Sequence, residues 1–138
     1  MANGLDEQRV GDFAKRVREL NRAGLGIRIL SGIECDIMRY GSMDLAEDAL
    51  AELDVVVGSI HSFMNLEPPE MTDRLLRALE SPNMRILVHP TGRILLHREG
   101  YAFDFERVAR AAVARNFYLE INGSPDRLDF GGPPVRTA

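Results

Sequence analysis

The chain has 138 residues, 45% of them hydrophobic, which is the length of one domain with enough apolar residues for a packed core and excludes wholesale disorder. No apolar run approaches the ~20 residues that span a bilayer, the opening MANGLDEQRV lacks the apolar stretch of a secretory signal, and the single cysteine, Cys35, makes no internal disulfide, so a cytoplasmic setting with no membrane is expected. The formal net charge of −4 excludes broad, sequence-independent nucleic-acid binding, which needs a basic surface, but leaves room for a local anion site, since all the basic residues except Lys15 are arginine.

Residues 6–23 carry Val10, Phe13, Ala14, Val17 and Leu20 at helical spacing, with Asp6 as N-cap and Gly24 and Gly26 as the stop. Residues 27–37 (IRILSGIECDI) alternate and are rich in β-branched side chains, so a strand is expected. RYGSMD is a turn, and 44–52 reads as a short helix capped by Asp44. The run 54–60 (DVVVGSI) is apolar almost throughout, as in a strand buried on both faces. A helix over 69–81 opens on proline, and 84–89 (MRILVH) is a third strand. A loop containing PTGR leads to a helix over 103–116, with Phe105, Val108, Ala109 and Ala112 inward, and then to a fourth strand over 117–122. The alternation of helix and strand calls for a parallel sheet with outer helices, a barrel or a doubly wound sheet. No internal linker breaks 1–130, and GGPPVRTA, 131–138, reads as a loose tail.

Chemistry-bearing residues fall at the strand ends. Glu34 and Asp36 lie near the end of the first strand, His61 follows the second, His89 the third and Asn122 the fourth. Glu34, His61 and His89 are 27 and 28 residues apart, about one βα unit each. Parallel α/β folds gather such positions at one face, so these three are expected to converge. One carboxylate and two imidazoles suit zinc, manganese or iron. Asp36 shares the parity of Glu34 and is expected to support a ligand or form an ion pair. Cys35 faces the helices as a small core residue, and Glu120 is given the opposite parity to Asn122 and expected on the outside of the barrel. The third histidine, His97, falls in a loop. In HPTGR, Gly92 is expected to let the backbone approach a ligand closely and Arg93 to hold a phosphate. Arg127, in the polar turn NGSPDR, is expected to do likewise. No P-loop or nucleophile elbow is present.

GIRILSGIECDI, LAELDVVVGSIHS, ILVHPTGR and LEINGSPDRLDF together resemble the polymerase and histidinol phosphatase (PHP) phosphoesterase family, most closely the version at the C-terminus of bacterial family X DNA polymerases. The likeness runs from about Asn3 to Phe130. It implies a distorted (βα)7 TIM-like barrel, here in part, with a cluster of zinc or manganese ions at its C-terminal face. Metal-activated water, rather than a side chain, would then hydrolyse phosphate esters, DNA 3′ ends among them. It also implies that Glu34, His61 and His89 ligate one metal, and Asn122, at the end of the fourth strand, is expected to support that site. The family's H-x-H and Asp-x-His motifs are absent from this sequence. The chain is therefore expected to be a central portion keeping one metal site, with barrel edges at 27–37 and 117–122 open to a partner chain or to self-association. Two alternatives remain, a small-molecule phosphatase of the histidinol phosphate type and an inactive scaffold or interaction module.

Overall fold

The computed structural model describes residues 4–130, and the expected tail at 131–138 lies outside the described residues. Four parallel strands form one open sheet in chain order, β1 (Gly32–Asp36), β2 (Val55–Ser59), β3 (Met84–Leu87) and β4 (Tyr118–Leu119). Between and before them run α1 (Glu7–Arg22), α2 (Glu47–Leu50), α3 (Pro68–Ala78) and α4 (Phe105–Ala114). The expected α/β order is therefore found. Among the described residues the sheet has two free edges, β1 and β4. None of these helices is long and apolar enough to cross a membrane.

Local chemistry explains most element ends. Asp6 caps α1 by accepting from the Arg9 backbone N–H at 2.9 Å. Asp104 caps α4 in the same way through the Arg107 N–H at 3.0 Å. Proline occupies the first turn of α3, where its missing N–H costs nothing. Asp44 does not cap a helix as expected. Its carboxylate turns back to accept from the Asp36 backbone N–H at 3.0 Å, and α2 starts later, at Glu47. On α1 the buried stripe is Val10, Ala14 and Val17. Phe13 and Leu20 are exposed, because no described element covers that flank of the helix.

The strands are shorter than their apolar patterns. Residues 27–31 run up to β1 outside the sheet, held instead by the Asn21 side chain, which donates to the Ile29 carbonyl and accepts from its N–H, both at 2.8 Å. Pairing of β2 with β3 slips at Val56/Val57, since Val56 faces Met84 but Val57 faces Ile86. This bulge sets the aim of the β3 end. The core lies between sheet and helices, with Cys35, Ile37, Leu50, Val56, Met71, Leu75, Met84, Leu87, Val108 and Phe117 all buried. Cys35 is the core residue its parity implies, and burial, with the nearby Asp44 carboxylate, pushes its thiol up to about 12.

Asp54 ties the start of β2 to the segment before β1. Its carboxylate accepts from the Ser31 N–H at 2.9 Å and the Ser31 hydroxyl at 2.8 Å, and these bonds hold it below the ordinary carboxylate value of 3.8. A depressed carboxylate stabilises the fold above its unfolded-state value and loses that contribution as pH falls through the folded one. Asp54→Ala is therefore expected to lower the melting temperature at pH 7, with the gap to the parent protein closing as the pH is taken below 3.8. Thermal unfolding across that range by circular dichroism checks both parts.

Candidate metal centre

The parallel register sets Glu34 opposite Val57 and Asp36 opposite Ser59. Glu34 lies within β1, while His61 and His89 each stand two residues past the ends of β2 and β3. The three meet as expected. Nε2 of His61 is 3.4 Å and Nε2 of His89 3.2 Å from the same oxygen, Oε1 of Glu34. One ligand atom from each residue lies within 4.8 Å of those of the other two. The imidazole rings are 5.4 Å apart between centroids, tilted by 49°.

Each group is aimed by a neighbour. Nδ1 of His61 sits 2.5 Å from Oδ1 of Asp36 and 3.2 Å from the Ser59 hydroxyl, which reaches the Cys35 carbonyl at 3.4 Å. A carboxylate only accepts, so the His61 proton belongs on Nδ1 and the lone pair on Nε2. That lone pair then faces a carboxylate oxygen, an arrangement of acceptors that a cation between them satisfies. The carboxylate–imidazole–metal relay is a common way of fixing a ligand's tautomer and direction. The donor set and its orientation therefore fit a divalent cation.

His89 is buried and sits in the left-handed backbone region, with φ of 31°. Such a backbone needs outside support. Its N–H donates to Oε2 of Glu120 at 2.6 Å, and its carbonyl accepts from the Gly92 N–H at 2.8 Å. Nδ1 of His89 is buried with no hydrogen-bond partner among the described residues. Glu120 does not point away from Asn122 to the outside of a barrel, as the expected parity has it. It lies two residues from Asn122, shares its face, and accepts from the Asn122 amide at 3.3 Å, so Asn122 acts on His89 through Glu120. The period-two rule for strands is the signal that finds Glu120.

Arg93 and Arg127 are brought together, each holding the other's backbone. Nε of Arg93 donates to the Arg127 carbonyl at 2.7 Å and its Nη2 to the Leu128 carbonyl, while Arg127 Nη1 donates to the Arg93 carbonyl at 3.3 Å. Asp129, fully buried and not singled out from sequence, accepts from both the N–H and the hydroxyl of Thr91, at 3.1 and 2.9 Å. Gly92, at φ of +65°, makes room for the Tyr101 ring, where an added Cβ would stand 2.6 Å from Cε1. His97 belongs to the exposed turn closed by the Ile94–Arg98 bridge and is not part of the cluster.

Arg74 is the second residue that sequence reasoning passed over. It is only 2% exposed. Nε donates to the Met38 carbonyl at 2.9 Å, Nη1 to those of Ser62 and Phe63 at 3.0 and 3.2 Å, and Nη2 to that of Ile37. One guanidinium thus joins the loop after Asp36 to the loop after His61. The signal was an arginine within the apolar stripe Met71, Leu75 and Ala78 of α3. Gly41, at φ of +92°, lets the first loop lie against α3, since a Cβ there would come within 2.7 Å of the Arg74 carbonyl oxygen.

No protein-family model matches the chain. Individual proteins do. The chain is 40% identical over 130 residues, 94% of its length, to the DNA polymerase/3′-5′ exonuclease PolX of Bacillus subtilis (strain 168), and spans 23% of that protein. It is 38% identical over 104 residues to a probable phosphatase of Caldanaerobacter subterraneus subsp. tengcongensis and 36% identical over 113 residues to one of Shewanella frigidimarina, covering 38% and 42% of them. The resemblance read from the four motifs, to a family X DNA polymerase, is found in these matches.

Replacing Arg74 by methionine keeps the apolar stem but takes the side-chain donor from the carbonyls of Ile37, Ser62 and Phe63, while that of Met38 keeps the Gly41 N–H, and each lost partner is worth about 1–3 kcal/mol. Arg74→Met is expected to cost at least about 3 kcal/mol of stability. Urea unfolding followed by circular dichroism measures it, and a loss under 1 kcal/mol contradicts this role.

Proposed function

We propose that Glu34, His61 and His89 hold one divalent cation, zinc or manganese, and that the chain is part of a PHP-type phosphoesterase domain hydrolysing phosphate esters. The observation that carries this reading is the approach of both Nε2 atoms to one oxygen of Glu34. A cation bound there supplies Lewis acidity toward water and toward phosphate oxygens. Asp36 keeps the His61 proton on Nδ1 and leaves Nε2 free to ligate. Glu120 fixes the direction of His89 by holding its backbone. Arg93 and Arg127 are proposed to meet the phosphate with the N–H groups not already used on each other's loop. In the same reading the open sheet is part of a distorted (βα)7 barrel, the free edges of β1 and β4 are where further strands or a partner chain add, and the setting is cytoplasmic.

The chain spans about a quarter of the polymerase it matches and about two fifths of the phosphatases, so the substrate is a proposal on its own. We favour nucleic-acid 3′ ends, with 3′-end processing or 3′–5′ exonuclease activity, because the match to the polymerase extends over 94% of this chain against 72% for the first phosphatase. The second reading, a small phosphomonoester of the histidinol phosphate kind, is favoured by the phosphatase matches and by the net charge of −4.

Purified protein is expected to bind zinc or manganese at a ratio of about one, with a rise in melting temperature on adding the metal. Glu34→Ala and His61→Ala are each expected to lose at least about tenfold in affinity. Elemental analysis finding no metal, together with an unchanged melting temperature in added Zn²⁺ and Mn²⁺, overturns the site. Metal-dependent turnover of p-nitrophenyl phosphate or of a 3′-phosphorylated oligonucleotide, abolished by His89→Ala, separates an enzyme from an inactive scaffold.

A further inference from the structure

The loop that follows Asp36 and the one that carries His61 also carry an aromatic surface for which the metal centre has no use. Tyr40, four residues after Asp36, is 72% exposed, and Phe63, two residues after His61, is 45% exposed. The Arg39 guanidinium lies over both rings, 5.9 Å from the Tyr40 centroid and 5.5 Å from that of Phe63. These are cation–π distances, so the three side chains form one cluster. Phe63 has a φ of 50°, a conformation disfavoured for a bulky residue. It is held there by the Arg74 bond to its carbonyl, and the same guanidinium binds the carbonyl of Met38, next to Arg39. The surface is therefore built rather than incidental. Its two halves are pinned to one buried group, and Phe63 lies within about 7 Å of chain from His61.

Exposed aromatic faces beside an arginine suit the base and backbone of a single-stranded nucleic acid. Stacking supplies sequence-tolerant affinity, and the guanidinium meets the phosphate. A small phosphomonoester offers no flat ring system of that extent to two separate aromatic faces. We propose that Tyr40, Phe63 and Arg39 form a stacking platform for the terminal bases of a single-stranded nucleic-acid end, placed so that the adjoining phosphate reaches the metal centre. This inference rests on the phosphoesterase reading and names the feature that selects nucleic-acid ends over small phosphate esters. It also gives the overall negative chain a local means of holding nucleic acid that relies on stacking and a single guanidinium rather than on a broad basic surface.

The test is fluorescence anisotropy of the full chain with a 5′-labelled oligothymidylate of about a dozen nucleotides, beside the same strand ending in an abasic 3′ nucleotide. Phe63→Leu, which keeps the apolar bulk and removes the ring, and Tyr40→Leu are each expected to weaken binding by roughly tenfold. Phe63→Tyr is expected to keep wild-type affinity. Removal of the terminal base is expected to cost a similar factor in the parent protein and little more in Phe63→Leu, a non-additivity that a merely structural role would not produce. Zinc titration of Phe63→Leu is expected to match the parent. Equal oligonucleotide affinity in the parent, Phe63→Leu and Tyr40→Leu overturns the platform while leaving the metal centre standing. So does a parent protein that does not bind the strand, or one in which Phe63→Leu abolishes self-association instead. A parent that binds the strand but no metal sinks the phosphoesterase reading and not the stacking.

Discussion

The buried guanidinium of Arg74 is the constraint on which the functional face depends. A positive charge out of water is costly unless its donors are all used and its charge is answered. Here the donors go to the carbonyls of Ile37, Met38, Ser62 and Phe63. Burial pulls the group down from its ordinary value, and the nearby Asp36 carboxylate opposes that shift. The cost of burying the charge is met by carbonyls that would otherwise have no strand or helix to bond with, just beyond β1 and β2. Both loops thereby become parts of one rigid rim. The positions of Asp36 and His61, and of Tyr40 and Phe63, follow from that rim.

A second support acts from the other side. β4 has only two paired residues, yet the segment after it reaches back through Glu120 to the His89 N–H and through Asp129 to Thr91. The left-handed backbone of His89 would not persist without such bonds. The site is therefore suspended between two clamps, Arg74 acting on the loops after β1 and β2, and Glu120 with Asp129 acting on the loop after β3. In each case the polar group that does the aiming is itself buried or half-buried, so its bonds are little weakened by water.

Much of the arrangement could be read before any coordinates. The helix caps at Asp6, the proline start of α3, the apolar strand β2 and the core role of Cys35 are all local matters of backbone chemistry and periodicity. The convergence of Glu34, His61 and His89 was legible too, because parallel strands of similar length bring residues one βα unit apart to one face. Asp44 was misread for an equally physical reason. An aspartate before a helical pattern offers its carboxylate to any nearby N–H, and the one at Asp36 was supplied by tertiary contact rather than by the next turn.

The sequence by itself determined the alternation of helix and strand, the parallel sheet and the three-residue cluster, since each follows from spacing along the chain. Only the tertiary structure decided which groups aim that cluster. Arg74, Glu120 and Asp129 act on backbone atoms 11 to 38 residues away. A residue's own neighbours in sequence carry no record of which distant carbonyl or N–H it will meet. That pairing is fixed when the sheet register and the bulge between β2 and β3 bring the loops together.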